Sequence, residues 1–260
     1  MMSRRRRADR KRLVGVSLVA TVLSAGLAYL FLRIGFMLDF YSVEGQLIER
    51  FMRILFAIAG IFLGTIATFF GYSLLFFRRR PGDQTDAAPT TGHLALEVVW
   101  TLIPLAVVIA LSVYGAIVLE RMEEPALAHF GATMPEAGAA TSPEESELQV
   151  NVLAFRFGWQ FEYPEYNIQS FELYLPVDRR VVFSIQSRDV VHSFWVPEFG
   201  PKQDAVPGMT TVLRITPTRI GQYTVRCAEL CGSGHTFMTA PCSVVSSGDF
   251  DKWVQAQQQQ

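Results

Sequence analysis

The stretch Cys227-Ala-Glu-Leu-Cys-Gly-Ser-Gly-His-Thr-Phe-Met238 places Cys227, Cys231, His235 and Met238 at spacings of four, four and three residues. A second histidine, His192, lies upstream. Thiolate, imidazole and thioether groups are soft ligands, which suit copper better than calcium, magnesium or manganese. A mononuclear copper electron-transfer site needs only one cysteine, so the second thiolate indicates two copper ions bridged by both cysteines. The stretch therefore predicts a dinuclear copper centre.

Spacing alone leaves two other interpretations of the cysteine pair open. A Cys-x-x-x-Cys pair outside the cytoplasm can form a disulfide, and cysteines with a histidine can hold zinc. Zinc has little use for a methionine, so Met238 favours copper. The remaining cysteine, Cys242, has apolar neighbours and is predicted to be a buried core residue.

Two further motifs accompany the ligand stretch: Asp-Val-Val-His-Ser around His192, and Lys202-Gln-Asp-Ala-Val-Pro-Gly208. Together with Cys-x-Glu-x-Cys-x-x-x-His-x-x-Met, they resemble subunit II of cytochrome c oxidase, the family that carries the CuA centre of heme–copper oxidases. The resemblance extends from about residue 42 to residue 245. It implies a cupredoxin-like Greek-key domain that passes electrons from reduced cytochrome c, or a similar carrier, to heme in subunit I, where oxygen becomes water. The alternatives are the CuA subunit of a nitric oxide reductase and a membrane-anchored copper-binding protein.

The resemblance also implies roles for two glutamates. Glu229 lies between the two cysteines, where its backbone carbonyl is expected to bind copper and its carboxylate a magnesium ion shared with subunit I. Glu97, in Leu96-Glu-Val-Val-Trp-Thr101, resembles the glutamate at which protons enter the K pathway of subunit I. The simpler interpretation of Glu97 is a carboxylate that faces lipid headgroups.

An aromatic segment, Arg156-Phe-Gly-Trp-Gln-Phe-Glu-Tyr-Pro164, resembles the family segment in which a tryptophan accepts electrons from cytochrome c. That position is Phe157 in this chain, and Trp159 follows two residues later. Both rings are candidates for the point at which electrons enter, and both can also be explained by strand packing. Because phenylalanine replaces tryptophan at this position, the electron donor can also be a membrane-tethered cytochrome or a small blue-copper protein.

Three long apolar segments precede the ligand motifs, at residues 13–32, 54–77 and 94–119. Each is long enough to cross a bilayer as a helix. Arginines before the first segment and after the second place those ends in the cytoplasm, so the residues after 120 are expected outside a bacterial-type inner membrane. The first segment is either a cleaved signal or a retained helix.

The predicted organisation has five parts. Residues 1–38 form a basic N-terminus with the signal or first transmembrane segment, and residues 39–120 form a transmembrane helical hairpin. A linker at 121–147, rich in Ala, Pro, Glu, Gly and Ser, leads to an all-β copper domain at 148–248 and a polar tail at 249–260. Short runs rich in Val, Ile, Phe and Tyr predict strands at 148–155, 170–175, 180–187, 210–216, 222–227 and 239–245.

Charge is divided unevenly along the chain. Through residue 120 there are 13 Lys or Arg against 8 Asp or Glu, and from residue 121 there are 10 against 16. An acidic external part predicts attraction of a basic protein partner. No basic patch interleaved with aromatic residues indicates nucleic acid. The expected partners are subunit I, subunit III, the electron carrier and membrane lipid.

Overall fold

The computed structural model describes residues 2–33, 39–78, 82, 92–123 and 147–259. Most of the predicted linker at residues 121–147 lies outside the described residues. The chain divides into two compact units, residues 1–37 with 50–116 and residues 38–49 with 117–260. We refer to these as the membrane unit and the external unit.

Among the described residues, three helices precede the strands: α1 (Met2–Arg33), α2 (Val43–Phe76) and α3 (Leu94–Glu123). Each contains a segment that is long and apolar enough to cross a membrane. Pro104 lies within α3 without ending the helix, as transmembrane helices often tolerate. The predicted class, apolar membrane helices followed by an all-β domain, is confirmed.

Ten strands lie in the part of the external unit that the structure describes. They are β1 (Leu148–Phe155), β2 (Gly158–Tyr163), β3 (Ile168–Ser170), β4 (Leu173–Pro176), β5 (Val181–Ser187), β6 (His192–Trp195), β7 (Lys202–Ala205), β8 (Thr211–Ile215), β9 (Gly221–Cys227) and β10 (Thr239–Val245). The sequence patterns found six of these strands but missed β2, β3, β6 and β7. β3, β6 and β7 have only three or four residues, too few for a recognisable pattern, and β2 lies in the aromatic segment that was assigned to electron entry.

The strands form two five-stranded sheets, in the orders β3-β2-β1-β5-β8 and β4-β10-β9-β6-β7. Their buried side chains form one core, in which the ring of Phe183 from the first sheet lies 5.1 Å from that of Phe194 from the second. Short strands that follow one another without intervening helices predict antiparallel pairing, but β1 pairs with β5 and β4 with β10 in parallel. The chain crosses between the sheets after β3, so neighbouring strands need not be consecutive.

The polar tail predicted at residues 249–260 is instead part of a helix, α4 (Ser247–Gln258). Ser246 caps this helix by accepting the backbone N–H of Asp249 at 3.2 Å. Phe250 is buried, and Trp253 stacks on Tyr174 with ring centroids 4.8 Å apart. The prediction failed because few apolar residues are needed to fix a short helix when they meet an aromatic cluster on the sheet.

Candidate metal centre

The predicted copper ligands come from two adjacent strands and the loop that follows one of them. His192 is the first residue of β6 and Cys227 is the last residue of β9, and these strands are paired antiparallel. The backbone N–H of Cys227 donates to the carbonyl of Met238 at 3.1 Å, which closes the intervening loop. We call residues 227–238 the ligand loop. Its two ends are therefore fixed by the sheet, as a preorganised metal site requires.

Within this frame the ligand atoms form a continuous chain of contacts. Cys227 Sγ lies 3.8 Å from Nδ1 of His192 and 3.9 Å from Sγ of Cys231. Cys231 Sγ in turn lies 3.7 Å from Nδ1 of His235 and 3.8 Å from Sδ of Met238. Each cysteine thus has its own histidine, and the methionine is on the Cys231 side. His192, Cys227 and Cys231 form a group of ligand atoms that could hold a metal ion.

The sulfur separation discriminates between the interpretations of the cysteine pair. A disulfide requires sulfurs about 2.05 Å apart, whereas these are 3.9 Å apart and both cysteines are free. Two sulfurs that bind one metal at about 2.3 Å can lie up to about 4.6 Å apart. The pair therefore has the spacing of shared metal ligands, and the soft donor set fits copper.

Protonation of this pair depends on burial. Burial of Cys231, followed by the effect of the neighbouring Cys227 thiol, raises the pKa of Cys231 to about 11. The metal-free site therefore holds this thiol protonated at neutral pH. Because thiolates are the metal-binding form, binding of a metal must release that proton.

Asp189 is a further residue of the candidate site, to which the sequence analysis gave no role. Burial alone would raise its pKa, but hydrogen bonds from the His192 ring and the backbone N–H groups of Val190 and Arg156 hold the pKa at about 2. Its Oδ1 lies 2.8 Å from Nε2 of His192. Asp189 lies three residues before His192 in the Asp-Val-Val-His motif. This spacing is the sequence feature from which the contact between the two side chains could have been predicted.

The ligand loop is supported from one side by Phe157. A Cβ added to Gly234 would lie 2.5 Å from two ring carbons of Phe157, and one on Gly232 would lie 3.2 Å from the same ring. Gly232 also has a φ of +137°, which strains any residue with a side chain. Glycine at both positions is thus required for the loop to lie against the ring.

The two aromatic candidates occupy different environments. Phe157 is 39 % exposed beside the ligand loop, whereas Trp159 is only 2 % exposed. The Trp159 ring meets the ring of His192 edge-on at 6.3 Å and that of Phe194 at 5.7 Å. Only Phe157 can touch a docked partner directly, and Trp159 packs behind a predicted ligand.

Neither glutamate carboxylate belongs to a group of metal-binding side chains in the described part of the chain. The backbone carbonyl of Glu229 lies 3.2 Å from Sγ of Cys227, and its side chain is exposed. Glu97 lies in the first turn of α3, where its Oε1 accepts the backbone N–H of His93 at 3.0 Å. This contact satisfies an otherwise free N–H group at the helix start. The third cysteine, Cys242, is completely buried in β10, as predicted, and burial raises its pKa.

Comparison with known proteins identifies matching families for both parts of the chain. Residues 39–117 match the family model for the transmembrane domain of cytochrome c oxidase subunit II, and residues 169–246 match the model for its periplasmic domain. Cytochrome c oxidase subunit 2 of Thermostichus vulcanus is 34 % identical over 251 residues, covering 82 % of this chain and 75 % of the relative. The same subunit of Synechocystis is 32 % identical over 245 residues, covering 83 % and 74 %.

Among solved structures, the crystal structure of the periplasmic domain of cytochrome oxidase subunit II from Bradyrhizobium japonicum is similar to part of this chain. It covers 44 % of this chain and 95 % of that domain, at 25 % identity and a TM-score of 0.42.

Proposed function

This chain belongs to the cytochrome c oxidase subunit II family, through which electrons enter heme–copper oxidases, and we propose that its external unit holds two copper ions. The family carries the CuA site and works beside subunit I. The proposal rests on one observation: two thiol sulfurs 3.9 Å apart, each within 3.8 Å of a different imidazole nitrogen. Bound copper supplies one-electron redox chemistry, and oxygen reduction takes place elsewhere in the assembly.

The protein's contribution is to hold the ligands in place before and after each electron passes. Asp189 fixes the His192 ring, because its bond at Nε2 leaves Nδ1 free to face the metal. Met238 is completely buried behind Cys231 and keeps water from that side. The backbone carbonyl of Glu229, 3.2 Å from Sγ of Cys227, is placed to complete the ligand set. Electron transfer is fast when the ligands move little between the two oxidation states of the metal, and this fixed arrangement favours that.

Magnesium is proposed on the Glu229 carboxylate. The side chain is exposed, and magnesium prefers oxygen ligands with several retained waters. A single carboxylate is not a site on its own. Subunit I is therefore proposed to supply the other ligands where the two proteins meet.

An apolar surface next to the metal ligands is proposed to dock the electron carrier. Phe157, Leu230 and Phe237 are exposed, the last two by 79 % and 82 %, and all three lie on or against the ligand loop. Exposed apolar side chains grouped in this way commonly mark interaction sites. The carrier is cytochrome c or a similar small protein, and the proposal places Phe157 in contact with it and Trp159 behind it.

The charge distribution favours apolar docking over electrostatic docking. Residues 148–260 contain 9 Lys or Arg and 10 Asp or Glu, whereas residues 121–147 contain 1 and 6. The acidic excess noted in the sequence therefore belongs to the segment before β1, and the β domain is nearly neutral. Association with the carrier is consequently expected to depend weakly on ionic strength.

In the membrane, the proposed arrangement has three spanning helices and the external unit on the periplasmic side of a bacterial inner membrane. Arginines at the start of α1 and after α2 support this orientation. Glu97 then lies at the cytoplasmic end of α3, where it is proposed to admit protons to subunit I. Subunit III is proposed as a further partner.

The test of the copper proposal compares two cysteine variants of the full chain in the assembled oxidase. Cys231→Ser removes one shared sulfur, whereas Cys242→Ala removes a buried thiol outside the site. We expect two coppers per chain in the parent and in the Cys242 variant, with an electron paramagnetic resonance signal of one electron shared by both ions. Cys231→Ser should lose this signal and turnover with reduced cytochrome c. One copper per chain, or zinc, in the parent protein contradicts the proposal.

A further inference from the structure

Within the membrane unit, α1 and α2 contact closely towards the C-terminal end of α1. A Cβ added to Gly64 would lie 2.7 Å from Cα of Ser24, and one added to Gly60 would lie 2.7 Å from a ring carbon of Phe31. Ser24 Oγ also donates to the carbonyl of Ile61 at 3.0 Å. Two glycines four residues apart let membrane helices approach in this way. The two helices are in close contact along the C-terminal half of α1 and do not stay in close contact towards its N-terminal end.

Towards the N-terminal end of α1, the same two helices leave a groove of about 460 Å³. A Cβ added to Gly15 or Gly71 would meet no atom within 4 Å, so neither glycine serves close helix contact. The walls are almost entirely apolar and include Val16, Val19, Leu23, Ala67 and Leu75. We call this space the lipid groove, because an apolar groove at membrane depth is filled by hydrocarbon.

The positively charged side chain of Arg12 lies at the open end of the lipid groove. Arg12 lines it and lies with Cζ 6.0 Å from the ring centroid of Phe76, near the end of α2. Among the described residues Arg12 has no carboxylate partner, so its guanidinium is available to an outside anion. Arg78, two residues beyond Phe76, is exposed near the same helix end. Arginine binds phosphate oxygens with two parallel hydrogen bonds, and basic pockets between membrane helices bind anionic headgroups.

The length of the lipid groove matches one acyl chain. From Arg12 to Leu23 the helix rises about 16 Å, which is about half of a hydrocarbon core about 30 Å thick. We propose that the lipid groove binds one anionic phospholipid, with its phosphate on Arg12 and an acyl chain between α1 and α2. The cytoplasmic orientation of this helix end makes it a lipid of the inner leaflet.

The first test measures phospholipid binding to the delipidated full chain in detergent by native mass spectrometry. Phosphatidylglycerol is the anionic probe and phosphatidylcholine the zwitterionic one. We expect the parent protein to retain phosphatidylglycerol in preference, and Arg12→Gln to weaken that binding about fivefold, as expected for one headgroup cation. Phosphatidylcholine binding should stay unchanged in this variant.

Arg33→Gln is the matched control. It removes the same charge from the same helix, but Arg33 lies over the ring of Tyr29, 5.4 Å away, and does not line the lipid groove. Phosphatidylglycerol binding should therefore equal that of the parent. Equal binding of both lipids in the parent, or equal losses in the two arginine variants, overturns the proposal.

A second test fills the lipid groove and identifies its occupant in the assembled oxidase. Gly71→Leu adds a side chain where the structure has free space, and it should reduce binding of both lipids while helicity and copper content are kept. A photoreactive benzoylphenylalanine at Val19 should form adducts with phospholipid. Crosslinks from that position to another subunit or to a second copy of this chain, without lipid adducts, overturn the proposal.

Discussion

Asp189 and His192 form a hydrogen bond of 2.8 Å between Oδ1 and Nε2, while Nδ1 of the same ring faces Cys227 Sγ at 3.8 Å. One imidazole thus joins a carboxylate to the cysteine sulfurs of the proposed metal site. Metal-binding histidines commonly depend on such a partner, which fixes both the tautomer and the ring orientation. The relationship makes Asp189 part of the proposed site through its contact with the His192 ring.

Replacing Asp189 with asparagine should weaken copper binding. The amide keeps the shape of the side chain but no longer fixes the tautomer of His192, and loss of such a partner typically costs about 10- to 100-fold in metal affinity. Competition with a copper chelator measures the change. Asp178→Asn is the control, because Asp178 has a φ of +59° that asparagine also tolerates, and it lies in the β4–β5 turn. Equal affinities in both variants contradict the role.

Replacing Gly234 with alanine should displace Phe157 or the ligand loop. The new Cβ would start 2.5 Å from the ring, and such overpacking costs about 1–3 kcal/mol of unfolding free energy. Denaturant unfolding of the copper-loaded full chain measures the loss. Gly248→Ala, whose Cβ meets nothing within 4 Å inside α4, should instead be neutral or stabilising. Adding Phe157→Ala to the Gly234 variant should restore stability, and failure to do so would show that the ring is not the obstacle.

The three cysteines should react with thiol reagents in a fixed order in the metal-free folded protein. Cys227 is partly exposed, whereas burial raises the pKa of both Cys231 and Cys242. Because the thiolate is the reactive form, alkylation should reach Cys227 first and Cys242 only after unfolding. Mass spectrometry of timed samples gives the order. Fast labelling of Cys242 in the folded protein would disprove its core position.

Truncating Phe250 should destabilise the external unit. Its ring is 1 % exposed and lies 5.9 Å from that of Tyr166 and 5.6 Å from that of Trp253. Replacing a buried phenylalanine such as Phe250 with alanine typically lowers the free energy of unfolding by about 3–5 kcal/mol. Lys252→Ala on the exposed face of α4 loses only a surface ion pair with Asp249 and should change unfolding free energy little. Similar unfolding midpoints for the two variants would mean that α4 does not hold the sandwich.

The sequence predicted the group of side chains that the structure brings together, because most of them lie on one short stretch of chain. Cys227, Cys231, His235 and Met238 share one loop, and their residue types and spacing already restrict the metal and its coordination. Apolar length likewise predicted three membrane-spanning segments, since crossing a bilayer requires about twenty apolar residues whatever their neighbours are. Both properties belong to short stretches of chain.

Other features exist only because distant residues meet in space. The parallel pairing of β1 with β5, the aromatic contacts that fix α4 and the burial of Trp159 behind His192 join segments that no local pattern connects. The sequence by itself therefore determined which potential metal ligands are grouped in the ligand loop and which segments are long and apolar enough to cross a membrane. Only the tertiary structure decided which histidine lies beside each cysteine and which aromatic ring reaches the surface. It also decided where α1 and α2 separate. The physical reason is that packing between segments remote in sequence sets these distances.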